Sequence, residues 1–93
     1  MELKFSPSFF RDLKQVKNRK LIHTLAAKIR HLKSAKNIQE IDNLKKMEDY
    51  KVHYRIKVKI DSKNDFRLGI IIRGNTIWIS RFLHRNKIYK EFP

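Results

Sequence analysis

Cysteine is absent from the 93 residues, which excludes disulfides and thiolate metal sites. Glycine and proline number two each, and no linker, low-complexity segment or internal repeat is visible. The longest apolar runs, such as Ile70-Ile71-Ile72, are far too short to span a bilayer. The opening MELKF has neither the apolar stretch nor the cleavage site of a signal peptide, so a cytoplasmic protein without membrane contact is expected. Acidic residues are the scarcest relative to need. Nine Asp plus Glu face 23 Lys plus Arg, a formal net charge of +14. That excess calls for an anionic partner, and nucleic acid is the commonest one for a small soluble protein. Apolar residues at 41% suffice for folding, and the length suits one domain over residues 1–93.

The most organised stretch is Tyr50 to Ile60, YKVHYRIKVKI. Val52, Tyr54, Ile56, Val58 and Ile60 alternate with Lys51, His53, Arg55, Lys57 and Lys59. Period two describes a strand with one buried and one polar face. The polar row has no carboxylate, although like charges along one face repel. A row of one sign is what a phosphate-binding surface needs, whereas an ordinary solvated face usually mixes signs.

Leu3 and Phe5 alternate with Glu2 and Lys4 in a short first strand. Ser6-Pro7 reads as a helix start, with Ser6 as N-cap and Pro7 in the first helical position. Phe9, Leu13 and Val16 follow at helical spacing. A second helix is predicted from about Lys20 to Lys33 on the stripe Ile22, Leu25, Ala26, Ile29 and Leu32, making an antiparallel hairpin with the first. Between Asp12 and Glu40 there is no acid, while Lys14, Lys17, Arg19, Lys20, Lys28, Arg30, Lys33 and Lys36 are basic. Helices normally offset lysines with glutamates four residues away; here the hairpin, Lys14, Lys17, Lys28 and Lys33 in particular, reads as a surface for a large polyanion. Residues 37–49 hold four of the nine acids and read as a connection with one or two helical turns, because Ile38, Ile41, Leu44 and Met47 recur every third residue. After a turn at 61–65, Phe66 to Arg73 is a third strand. Gly74-Asn75 signals a tight hairpin, and Thr76 to about His84 is a fourth.

Pairing these strands through their turns sets Lys59 against Arg67, Lys57 against Gly69, Gly69 against Ser80 and Arg67 against Phe82. The face not covered by helices then holds Arg55, Lys57, Lys59, Arg67, Gly69, Trp78, Ser80, Phe82 and His84. Arg55 and Lys59 offer charge to RNA, and Trp78 and Phe82 offer stacking surfaces. Gly69 marks either close approach of a ligand or a structural irregularity such as a bulge. Arg81 falls on the covered side, a warning about register near the strand end.

Four stretches, LKFSPSFFRDLK, LKKMEDYKVHYRIKV, DFRLGIII and FLHRNKIYKEFP, together resemble the RelE/ParE superfamily of bacterial type II toxins over nearly the whole chain. The resemblance implies an α+β fold of order β-α-α-β-β-β, a helical hairpin packed on one face of a mainly antiparallel four-stranded sheet. It also implies ribosome-dependent mRNA cleavage without a metal or other cofactor, and a cognate antitoxin as partner besides mRNA and ribosomal RNA. Residue by residue, the family's basic pair falls on Arg55 and Lys57 and its phosphate-contacting arginine on Arg67. The C-terminal arginine and tyrosine match Arg85 and Tyr89, and His84 stands where some branches place a catalytic histidine. The segment between Lys59 and Arg67 is longer than the family's usual tight turn. In such chemistry the RNA 2′-oxygen attacks its own phosphate; Arg67 and Lys57 suit neutralisation of the phosphorane, and Tyr89 or His84 suits proton transfer. No carboxylate is expected on the open face, so no metal site is expected. The same scaffold also carries gyrase-directed toxins, and a noncatalytic RNA-binding module is a third reading.

Overall fold

In the computed structural model, which describes residues 1–93, a five-stranded mixed sheet carries two helices on one face and a short third helix on the other. Strand β1 (Glu2–Phe5) leads into α1 (Pro7–Lys14) and α2 (Arg19–Ser34). After a 3-10 turn at Ile38–Glu40 come β2 (Leu44–Lys46), β3 (His53–Lys59), β4 (Asp65–Arg73), β5 (Thr76–His84) and α3 (Arg85–Glu91). The sheet order is β1-β5-β4-β3-β2, with β1 parallel to β5 and every other pair antiparallel. The expected hairpin on a mainly antiparallel sheet is therefore present, with five strands instead of four. The extra one is β2, in the connection where further helical turns are predicted and only the 3-10 turn forms.

Local chemistry accounts for the helices. Pro7 sits in the first turn of α1, where a missing N–H is harmless. Asn18 caps α2 by accepting the Leu21 N–H at 3.1 Å. Phe9, Leu21, Leu25 and Leu32 then close over Ile56, Val58, Leu68, Ile70, Ile72, Ile77 and Ile79, forming one core between hairpin and sheet.

Two register differences matter for the site. The turn occupies 60–64, where the Asp61 carboxylate accepts the backbone N–H groups of Lys63 and Asn64 at 3.0 and 2.8 Å. Asp65 is thereby drawn into β4 opposite Lys59, Lys57 faces Arg67, and Arg55 faces Gly69. This two-residue slip preserves which side chains share a face. The second difference does not. A β-bulge shifts the β4–β5 register between Gly69 and Ile70, so Ile70 faces Ile79 while Gly69 faces Arg81, with Ser80 as the extra residue. From there on, β5 is inverted relative to the expected pairing. Phe82 turns into the core and is 1% exposed, so it is not a stacking surface, and Arg81 and Leu83 take the other face. Side chains of α1 satisfy the bulge: Ser8 Oγ donates to the Ser80 carbonyl at 2.7 Å, and Asp12 Oδ2 accepts the Phe82 N–H at 2.9 Å. Asp12 also takes Arg81 Nε and Nη2 at 2.8 and 3.1 Å, a forked ion pair whose hydrogen bond raises the Arg81 pKa above its ordinary value.

Helix α3 covers part of the face that the sequence reading leaves open. Ile88 and Phe92 pack on Met47, Ile71 and Leu83, a small cluster separate from the main core. Burying two side chains of this size contributes roughly 1.5–3 kcal/mol each. Three polar ties flank the cluster. Arg85 reaches Asp65, Tyr89 reaches Arg55, and Glu91 reaches Arg81. Gly69 is explained by the same packing, because a Cβ there would lie 2.8 Å from Cδ2 of Phe92. The glycine makes room for the protein's own tail. Gly69→Ala should leave the sheet intact while dislodging Phe92. Hydrogen exchange should then show faster exchange across residues 86–92 with β3 to β5 still protected; unchanged protection of α3 would refute this account.

Candidate functional site

Strand β2 pairs with Tyr54, Arg55 and Ile56, and the Met47 N–H donates to the His53 carbonyl at 2.8 Å, so the bare part of the β3 edge is residues 57–59. A concavity of about 570 Å³ opens there, and no hydrophobic side chain lines it. Arg55, Lys57 and Lys59 come from β3, Arg67 from β4, Lys45 from β2 and Lys28 from α2, with Thr24 and Asn43 completing the wall. Six of the eight lining residues are cations and none is an acid. Alternation on β3 aims 55, 57 and 59 to one side, and the Lys57–Arg67 pairing brings β4 into the row. Like charges so placed repel, an arrangement that a bound anion would relieve.

The C-terminal helix joins this groove at two points. Arg55 Nε donates to the Tyr89 hydroxyl at 2.5 Å, and its guanidinium lies 5.3 Å from the Tyr89 ring centroid. Arg55 also lines a second hollow of about 400 Å³ with Tyr50, Tyr89 and Phe92, so it is the wall between the two. Arg85 lies 3.8 Å from Asp65 Oδ2, and the other oxygen of Asp65 pairs with Arg67. Arg67 and Arg85 are thus linked through one carboxylate.

Of the residues picked out from the sequence, Arg55, Lys57, Lys59, Arg67 and Lys28 meet in the groove, and Arg85 and Tyr89 adjoin it. Others do not. Trp78 faces Ile71, four positions beyond Arg67 along β4 and about 13 Å away at the usual strand rise. There it lies under Lys4, whose Nζ is 5.4 Å from the ring centroid. His84 pairs with Phe66, packs edge-on against that ring at 5.6 Å, and accepts the Asn86 N–H through Nδ1 at 3.2 Å. It is occupied as the cap of α3. Lys14, Lys17 and Lys33 are exposed on the hairpin outside the groove. Thr24, Asn43 and Lys45 line the groove and Asp65 pairs with its Arg67, and the sequence reading does not single these four out. Lys45 depends on β2, too short to show a period, and on the turn before it. In that turn Asn43 adopts φ 60°, which asparagine tolerates, and the Asp42 N–H donates to His31 Nε2 at 3.1 Å.

A small basic α+β protein with a cationic sheet edge is the class that this hairpin, sheet and groove define. No protein-family model matches the chain. It is, however, 34% identical over 95 aligned positions to Toxin RelE3 of Methanocaldococcus jannaschii, with 100% of both chains covered. The fold matches a crystal structure of the RelB-RelE antitoxin-toxin complex from Methanococcus jannaschii with a TM-score of 0.72 at 28% identity, covering 96% of this chain and 98% of that one. The chain belongs to the RelE family of toxins.

Beneath α3 lies a titratable group that the groove does not use. His53 sits between Tyr50 and Phe92, with ring centroids 5.2 and 5.5 Å away, and its Nδ1 is buried without a hydrogen-bond partner. Burial first, and then the positive charge of Arg73, lowers its pKa from the ordinary 6.5. The folded state resists a proton that the unfolded chain accepts. Stability should therefore be full above about pH 6.5 and fall as the pH drops below it. Urea unfolding at pH 7.5 and 5.0 checks this: His53→Leu should lose part of the decline, and an identical decline in both proteins would show that His53 does not contribute.

Proposed function

We propose that this toxin cuts mRNA on the ribosome without a metal ion, arresting translation in the cytoplasm, and that a cognate antitoxin holds it inactive. The single observation that carries the reading is the groove, with six cations, no acid in its wall, and Arg55, Lys57 and Arg67 gathered in it. A groove of that composition suits a chain of phosphates and offers little to an apolar or cationic ligand. RNA supplies its own nucleophile. The 2′-oxygen attacks the adjacent phosphorus and loses its proton, the phosphorus–O5′ bond breaks, and the departing 5′-oxygen gains a proton. A 2′,3′-cyclic phosphate is left.

In this mechanism Arg67 and Lys57, cross-strand partners, neutralise the equatorial oxygens as charge develops, and Arg85 adds a further cation. Tyr89 is the better-placed proton carrier. Its hydroxyl already meets Arg55 at the groove wall, whereas His84 packs on Phe66 on the other side of β4. Lys28 extends the cationic track onto the hairpin, towards ribosomal RNA.

Arg67→Ala should be less stable, because it leaves the buried Asp65 carboxylate without its hydrogen-bonded partner. At a temperature where it is folded it should lose most mRNA cleavage, about 10²-fold or more if one phosphorane contact is removed. Mapping mRNA 5′ ends after tightly controlled expression, beside an assay for DNA damage, checks this. Codon-phased cuts that vanish in the variant support the reading. DNA damage with intact mRNA would instead point to gyrase, and neither effect would point to a noncatalytic RNA-binding module.

The antitoxin follows from charge and from the family. A chain at +14 is best neutralised by an acidic segment that folds on binding. That segment covers Arg55, Lys57 and Arg67 or displaces Tyr89. Mixing the toxin with the product of the adjacent small gene should give a tight, salt-sensitive complex that no longer cuts mRNA. Persistent cleavage in the complex would refute the neutralisation.

A further inference from the structure

Asp65 is an acid among cations. It opens β4, its side chain is 7% exposed, Lys59 is its cross-strand partner, and Arg67 and Arg85 approach its two oxygens. Arg67 Nη1 donates both to Asp65 Oδ1 and to the Phe66 carbonyl, the latter at 3.1 Å. Both protons of Nη1 are thus committed to protein acceptors. The Nε–Nη2 edge makes no hydrogen bond to the protein and is left for the groove that Arg67 lines. Two parallel N–H groups on one edge are the fork that matches a phosphate. Arg85 opens α3, so the same carboxylate also holds the first turn of that helix near the groove.

We propose that Asp65 is a positioning residue, one that orients Arg67 and Arg85 for a phosphate while opposing RNA affinity. The proposal rests on the endoribonuclease reading for its kinetic consequence. A carboxylate next to a phosphate site repels the ligand, so its retention makes sense only if orientation matters more than attraction. Burial on its own raises the Asp65 carboxyl, but the hydrogen bond and charge of Arg67, aided by Lys57 and Lys59, hold it below its ordinary value. The carboxylate is therefore ionised at neutral pH, and its charge is always felt by the site.

A residue that served only folding would, when replaced, weaken binding and cleavage together. Asp65→Asn should separate them. The isosteric amide removes a negative charge, so a single-stranded RNA oligonucleotide should bind more tightly, with a salt slope steeper by up to about 0.7. Single-turnover cleavage of mRNA on programmed ribosomes at saturating toxin should fall at least about tenfold, because a misplaced contact in the transition state is costly. Thermal melting establishes that the variant is folded. Tighter binding with slower saturated cleavage supports the proposal. Cleavage at the wild-type saturated rate overturns it, as does a folded variant that loses affinity. Should Asp65→Asn not fold, Asp65→Glu decides. It keeps the charge and the salt slope but moves the guanidinium, so only the saturated rate should fall, and an unchanged rate overturns the proposal. If the wild type cuts no mRNA, the endoribonuclease reading fails by itself. Nitrogen-15 NMR of the Arg67 side chain then settles the positioning claim: rotation of Nη1 that is hindered in the wild type should become free in Asp65→Asn, and equal rotation in both overturns it.

Discussion

The bulge at Ser80 and the Asp12 carboxylate that braces it decide what the rest of the molecule can be. One extra residue in β5 inverts the strand beyond it, sending Phe82 inward and Arg81 and Leu83 outward. The outward pair then builds the seat of α3, Leu83 as apolar floor and Arg81 as a tie to Glu91. Asp12 meets three demands at once, since it accepts Arg81 twice and the Phe82 N–H once. A partly buried polar cluster of this kind is costly unless its members are satisfied. Here α1, a helix on the opposite side of the sheet, completes it and so sets the position of α3.

Electrostatic strain is concentrated around the β3 edge. Lys57 opposite Arg67 costs a few tenths of a kcal/mol or more, and Arg55, Lys59, Lys45 and Lys28 add to it. The main core lies just behind, with Val58 and Leu68 wholly buried, and it holds the charged strand in place. A site strained by repulsion and backed by a rigid sheet is preorganised for anions, because little rearranges when the charge is met.

How much of this was legible in the sequence differs by element. The alternation in residues 50–60 announces β3, and the charges on its odd positions announce the groove. The hairpin follows from the stripe of α2 and the Ser6-Pro7 start. The slip at the 60–64 turn could not be read, because Asp65 looks like a loop residue until its arginine partners are placed around it. The bulge leaves two faint marks: Gly69, at the register shift, which could be read as a sign of a bulge, and Arg81 falling on the apolar side of an ideal strand. Strand β2 escapes because three residues cannot show a period. Its neighbours Ile38, Ile41, Leu44 and Met47 mimic a helix, yet the structure spends them on a 3-10 turn, an edge strand and the seat of α3. Gly69 was readable as special and as a bulge candidate, but the side chain that crowds it, Phe92, was not.

The parallel pairing of β1 with β5 has a consequence for the order in which the molecule assembles. Residues 2–5 take their partners from residues 76–79, so the first strand made must wait for nearly the last. Helix α1 waits as well, because the groups that Ser8 and Asp12 satisfy belong to residues 80–82. Until then β1 and α1 can form only local structure. Closing so long a loop delays folding relative to a chain of local contacts. Strands β2, β3, β4 and β5 can pair early, each with the next across a short connection, and they carry the cations without the tail that borders them. During synthesis, therefore, the charged edge takes shape first and the completed site last.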